Sequence, residues 1–209
     1  MNIVTISREF GSGGREFAKH LAEHLGYDYY DQQIIAKIAE RHNLDEKVVD
    51  STLDGNHWQS IPFTFSHSFV SPFIINVPQT NILIEQRKVI EEIASLGRDC
   101  VIVGRNADVL LSEFKPFDIF VCADMSAKIE RCKARADENE NLTDKQIQKN
   151  IQRIDKNRAR TRYIISDGEW GHRKSYDIIL NTTGWDLNEL AISVADMVKR
   201  WAKLKENKE

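Results

Sequence analysis

Near its start the chain runs from a β-branched segment straight into three glycines and then an amphipathic repeat: Asn2-Ile3-Val4-Thr5-Ile6-Ser7-Arg8-Glu9-Phe10-Gly11-Ser12-Gly13-Gly14-Arg15-Glu16. Strand, glycine loop and helix in that order build a concave backbone surface. Glycine permits the φ > 0 turns that aim successive N–H groups inward, and a helix N-terminus adds positive potential to the same concavity. An anion such as a phosphate binds such a surface without any special side chain. The competing reading is a plain glycine-rich turn between a strand and a helix.

The phosphate-loop pattern G-x-x-x-x-G-K-[ST] is matched only in part. With Gly13 as the second glycine, Arg8 stands at the first, Gly14 at the lysine and Arg15 at the hydroxyl residue. With Gly14 as the second glycine, Glu9, Arg15 and Glu16 take those three places. Neither register has both the lysine and the hydroxyl.

The 209 residues carry 29 basic and 32 acidic side chains, a net charge of -3, so no polycationic surface for nucleic acid is present and any anion site is local. Composition, at 41% hydrophobic and 29% charged, is that of a globular domain. The start lacks a basic and apolar leader pattern, and no stretch reaches the roughly 20 apolar residues that span a bilayer, so a cytoplasmic protein without a membrane segment is expected. Cys100, Cys122 and Cys132 show no C-x-x-C spacing and are expected as reduced thiols. His20 and His24 lack the glutamate order of H-E-x-x-H, so a helix surface is expected there and no metal ligand is assigned.

Phe17, Leu21 and Leu25 recur every four residues until Gly26, as in an amphipathic helix stopped by a C-terminal glycine. Apolar or β-rich runs at 3–6, 27–30, 100–103, 119–122 and 178–180 predict five strands separated by helical periodicity or longer inserts. That alternation predicts a three-layer α/β/α domain with a mostly parallel sheet, in which ligands sit beyond the C-terminal strand ends. Gly11 to Gly14, Asp31 and Gly104-Arg105 all fall at such ends. The last helix is expected to open with Asp186 as N-cap and to bury Leu190, Val194, Met197, Val198, Trp201 and Leu204.

Two segments interrupt the alternation, at about 32–96 and about 131–170, leaving a core of about 1–31, 97–130 and 171–209. The aromatic and proline-rich stretch 58–75 has no clean period. It has three readings that the residues leave open: lining for a base, packing on a second subunit to give a homodimer, or a cover over the core.

Thr143-Asp144-Lys145-Gln146 fits a capping box and sets the register of the following helix. At 100° per residue Ile147, Ile151 and Ile154 share a face that Asp155, Arg158 and Arg162 continue. Charges on a core-facing stripe need partners, and guanidinium matches phosphate oxygens bidentately. The alternative is a helix that emerges into solvent after Ile154. Arg105, following an apolar strand, is expected at the sheet rim near the glycine loop, and Arg131 and Arg135 lie four apart on a helix starting near Ser126.

Taken in order, Ile6-Ser7-Arg8-Glu9-Phe10-Gly11-Ser12-Gly13-Gly14-Arg15, Tyr29-Tyr30-Asp31, Val101-Ile102-Val103-Gly104-Arg105, Asp155-Lys156-Asn157-Arg158 and Tyr176-Asp177-Ile178-Ile179-Leu180-Asn181-Thr182 resemble the cytidylate kinase-like proteins within the P-loop nucleoside monophosphate kinases. The resemblance implies a five-stranded parallel sheet with a phosphate loop, a monophosphate-binding insert at 32–96 and a lid at 131–170. It implies transfer of the γ-phosphoryl of ATP, with Mg2+, onto CMP or dCMP. By the same resemblance Gly11, Ser12, Gly13 and Gly14 would cradle the donor phosphates, with Arg15 at the place of the lysine. Asp31 would sit by the acceptor, Arg105 near its base or phosphate, Asp155 on the ribose hydroxyls and Arg158 on the acceptor phosphate. Apart from the resemblance, Arg131 is expected to help neutralise phosphate charge and Arg162, on the charged stripe, to bind substrate. Asn106 stands where the family pattern Gly-Arg-Asp has its acid. Two other functions fit the same residues: a nucleotide-binding protein without phosphoryl transfer, and a kinase of another small metabolite.

Overall fold

The computed structural model describes residues 1–42, 46, 79–136, 142–166 and 168–207. Five strands form one parallel sheet: β1 (Ile3–Arg8), β2 (Asp28–Tyr30), β3 (Cys100–Val103), β4 (Phe117–Cys122) and β5 (Ile178–Asn181), in the order β2-β3-β1-β4-β5. All four pairings are parallel, with Ile6 opposite Val103 on one side of β1 and opposite Ile119 on the other. Every residue of β1 is buried, as expected of a central strand covered on both faces.

The alternation of β1 sorts its side chains to the two faces. Val4 and Ile6 pack with Phe17 and Leu21 of α1 (Gly14–Leu25) and with Leu187, Leu190, Val194 and Val198 of the C-terminal helix Leu187–Glu206. Ile3 packs on the opposite side with Ile34 and Ile38 of α2 (Gln32–His42) and Ile82, Val89 and Ile90 of α3 (Gln79–Ser95). Each fully buried side chain of this size contributes about 1.5–3 kcal/mol, so the two clusters together outweigh any single polar contact in the molecule. The insert expected at 32–96 thus begins and ends in helices that belong to the core, while 58–75 lies outside the described residues.

Asp186 caps the C-terminal helix, accepting from the N–H groups of Asn188 and Glu189. Its stripe is narrower than the sequence predicts: Met197 is 46% and Leu204 62% exposed, and the small residues Ala191, Ala195 and Ala202 are buried instead. Close approach to α1 leaves room for alanine at those positions, and the longer side chains lie at the margin. Short α4 (Ala107–Leu110) follows β3, and α5 (Met125–Ala134) follows β4. The 22-residue α6 (Asp144–Ile165) starts in the expected capping box and buries Ile147 and Ile151 with Cys132 of α5. The C-terminal helix completes the set as α7. No helix among the described residues is long and apolar enough to cross a membrane.

Candidate active site

The C-terminal end of β1 is where the chain leaves toward opposite sides of the sheet, and the glycine loop forms there. Gly11 and Gly13 have φ of 75° and 79°, the left-handed turns expected of a loop that aims amides inward, and α1 begins at Gly14. Ser12 is fully buried. Its hydroxyl donates to the Glu9 carbonyl at 2.8 Å and accepts from the Gly14 N–H at 3.3 Å. One amide of the cradle is therefore satisfied within the loop, and the Ser12 side chain shapes the turn from inside.

The loop is held from three directions. Thr182, just past β5, donates from its hydroxyl to the Ser12 carbonyl at 2.6 Å. Arg131 of α5 donates to the same carbonyl at 3.2 Å and to the Thr182 carbonyl at 2.8 Å, with burial and then the neighbouring Arg135 lowering its pKa. Asp155 of α6 accepts from the Phe10 N–H at 2.7 Å. Burial pushes the Asp155 carboxyl up to about 6, against the opposing pull of Arg158, the Phe10 amide and Lys128. Lys128 itself is buried, its Nζ 2.5 Å from Glu9 and 4.0 Å from Asp155.

Beyond Ile154 the α6 stripe stays buried and turns charged: Arg158 and Arg162 are 9% and 4% exposed, so the helix does not emerge into solvent there. The two arginines differ in destination. Arg158 donates to the Arg8 carbonyl at 3.0 Å, lies 3.7 Å from Asp155, and its buried Nε has no hydrogen-bond partner among the described residues. Arg162 is locked in a buried ion pair with Asp108 of α4 and lies over the Tyr176 ring. Arg162 thus braces α6 against α4, next in sequence to Thr161, which lines the Arg105 side of the site, and its buried Nε has no hydrogen-bond partner among the described residues.

Arg15, at the lysine or hydroxyl place of the loop, turns onto Asp31 at the end of β2 in a direct ion pair. Asp31 is buried and also lies 3.9 Å from Arg8. Burial and then the Asp31 charge push the Tyr29 hydroxyl up to about 12. After β3, Gly104, Arg105 and Asn106 have φ of 71°, 60° and 54°. Two consecutive non-glycine residues in the left-handed region store strain of about 1–2 kcal/mol each, which persists only where surroundings impose it. Buried Gln86 of α3 supplies part of that constraint, donating to the Arg105 carbonyl at 2.9 Å.

Two adjoining clefts result. One is lined by the loop glycines with Arg15, Arg131, Arg135 and Arg158. The other is lined by Ser7, Gln86, Gly104, Arg105, Arg158 and Trp170, the tryptophan standing edge-on to Phe120 at 5.1 Å. The sequence reading missed Arg8, Gln86, Lys128 and Thr182. A signal existed for Arg8, which occupies the place of the first loop glycine, and Thr182 closes a motif of the resemblance. Nothing in the local sequence distinguishes Gln86 or Lys128 from surface helix residues.

A parallel five-stranded sheet with a glycine loop after its central strand, ringed by arginines, defines the architecture of P-loop kinases. The model of the cytidylate kinase-like family matches residues 3–184, and the chain belongs to that family. The family supports a nucleotide-dependent kinase. Among solved structures, an uncharacterized protein from Eubacterium ventriosum ATCC 27560 is 23% identical with a TM-score of 0.69, covering 95% of this chain and 99% of its own. Shikimate kinase from Bacteroides thetaiotaomicron is 14% identical with a TM-score of 0.55, covering 98% of both chains. A gluconokinase from Sinorhizobium meliloti 1021 is 14% identical with a TM-score of 0.54, covering 100% of this chain and 97% of its own. These likenesses bear on the fold alone. No curated protein matches the chain.

Proposed function

We propose that the protein transfers the γ-phosphoryl group of ATP to a nucleoside monophosphate, CMP or dCMP first, with 32–96 as the acceptor-binding insert and 131–170 as the lid. The observation that carries this reading is Arg158: a buried guanidinium whose Nε has no hydrogen-bond partner among the described residues, lining both the glycine-loop cleft and the Arg105 cleft. A charge at the junction of two anion clefts suits a group in flight between donor and acceptor.

The residues present fit a triphosphate. Inward amides at the loop, the N-terminus of α1 and the guanidiniums of Arg131 and Arg135 meet donor oxygens. Magnesium supplies further charge neutralisation on the phosphates. The chain's own work is to bind, align and neutralise: phosphoryl transfer needs no covalent nucleophile, and positioning with electrostatic stabilisation provides the rate. Arg105 faces the acceptor cleft with its backbone fixed by Gln86. Asp155 holds the Phe10 amide with one carboxylate oxygen and has the other to offer ribose hydroxyls.

Arg158→Ala tests the reading: ADP formation is expected to fall about 100-fold or more, the usual size for loss of one preorganised donor, with the circular dichroism of the fold retained. Wild-type turnover in that variant would overturn it. One observation favours a second reading, nucleotide binding without transfer: Arg15, the residue nearest the missing lysine, is committed to Asp31. ATP binding with no product under any acceptor would support that alternative.

A further inference from the structure

Gly14 lies against the base of the Arg8 side chain and Gly104 against its guanidinium. A Cβ at Gly104 would lie 1.5 Å from Arg8 Nη1, and a Cβ at Gly14 would lie 2.7 Å from Arg8 Cβ. The turn after β3 thus leaves room for this guanidinium, and the phosphate loop leaves room for the base of the same side chain. Arg8 is 7% exposed, and its own carbonyl is held by Arg158. Among the described residues, Arg8 and Arg158 are the two that line both the glycine-loop cleft and the Arg105 cleft.

We infer that Arg8 is a catalytic residue, the cation that contacts the transferred phosphoryl group in place of the lysine this loop lacks. The inference rests on the phosphotransferase reading and adds a residue to it. The sequence offers Arg15 for that role, but Arg15 is partly exposed and turned onto Asp31, lining the glycine-loop cleft and the hollow beside Asp31 and not the Arg105 cleft. Arg8 comes from the rigid central strand rather than from the loop, so its position is set before any ligand arrives. In the register with Gly13 as second glycine, Gly14 at the lysine place is then accounted for: a side chain there would collide with the Arg8 Cβ and crowd Val121. A planar guanidinium with donors on two edges can reach a phosphoryl group from the donor side and keep hold of it on the acceptor side, which a point-charge ammonium does less well. Asp31, 3.9 Å away, is the counter-charge that keeps the side chain in place before an anion enters.

Arg8→Met, Arg8→Lys and Arg15→Met are compared with wild type for kcat and KM of ATP, and for the thermal shift given by sodium tripolyphosphate. For Arg8→Met we expect kcat to drop about 100-fold or more, with the tripolyphosphate shift largely lost, and for Arg8→Lys partial recovery of both. Arg15→Met is expected to fall less than 10-fold and to keep most of the shift. A folded Arg8 variant with wild-type kcat and wild-type tripolyphosphate shift would overturn the inference and assign Arg8 a packing role only. If neither Arg8 variant folds, the Arg8 Nε–Hε resonance of the wild-type protein decides: a shift on adding tripolyphosphate supports the contact, and an unmoved resonance contradicts it. A wild-type protein without turnover on any acceptor would instead remove the phosphotransferase reading, and the tripolyphosphate measurements would still report on Arg8.

Discussion

The Asp155 carboxylate accepts the Phe10 amide at 2.7 Å, joining the middle of α6 to the phosphate loop across 145 residues of chain. The same carboxylate faces Arg158 at 3.7 Å and Lys128 at 4.0 Å. Any movement of α6 is therefore felt by the loop directly.

Removing that acceptor leaves the partly buried Phe10 N–H without its acceptor and two buried cations short of counter-charge. Asp155→Ala is expected to lose about 3 kcal/mol in urea unfolding, and Asp155→Asn, which keeps an acceptor for Phe10, distinctly less. Equal losses in the two variants would show that the amide bond does not matter.

Asp118 of β4 accepts from the Thr5 hydroxyl, and burial lifts its carboxyl to about 7, with the nearby Asp108 and Asp177 adding to the rise. A carboxyl whose folded pKa lies above its unfolded value contributes stability that is complete below about pH 4 and lost as pH rises through about 7. Asp118→Asn keeps a hydrogen-bond acceptor without the charge. It is expected to stabilise the protein at pH 8 by on the order of 1–4 kcal/mol and to give no gain at pH 4, read from urea midpoints at both pH values. A gain that does not grow with pH would contradict this.

The Arg162–Asp108 pair is buried on both sides. Asp108→Ala strands a buried guanidinium and is expected to cost about 3–5 kcal/mol of stability. At a temperature where the variant stays folded, its kcat is expected within about threefold of wild type, because the pair braces α6 rather than meeting a ligand. A large fall in kcat with unchanged stability would show that Arg162 also meets substrate.

Gly104 combines a φ of 71° with a side-chain neighbour where its Cβ would go. Gly104→Ala is expected to lower the melting temperature and to reduce turnover as well, since the added carbon displaces Arg8. A variant with normal stability and turnover would mean that the turn after β3 yields readily.

The parts of this molecule that follow from local chemistry were legible in the residues. Period-two and period-3.6 patterns located all five strands, and Asp186 and the Thr143–Gln146 box marked two helix starts because capping is a contact between near neighbours in the chain. The change of the α6 stripe from isoleucine to arginine was visible too. What escaped depends on where distant elements meet. The pairing of Arg15 with Asp31 is not visible in the residues, because only the fold brings the two together. The partner of Arg162, Asp108, is likewise 54 residues away. Gln86 sits on an ordinary-looking helix, and its role exists only through the Arg105 carbonyl.

The central claim is acceptor-dependent phosphoryl transfer, and ADP release by the purified protein tests it most directly. The assay uses ATP and magnesium with CMP, dCMP, UMP, AMP, shikimate or gluconate, and a control without acceptor. The account predicts ADP formation that requires an acceptor and is fastest with CMP or dCMP. ATP binding without acceptor-dependent ADP from any of these compounds would contradict it.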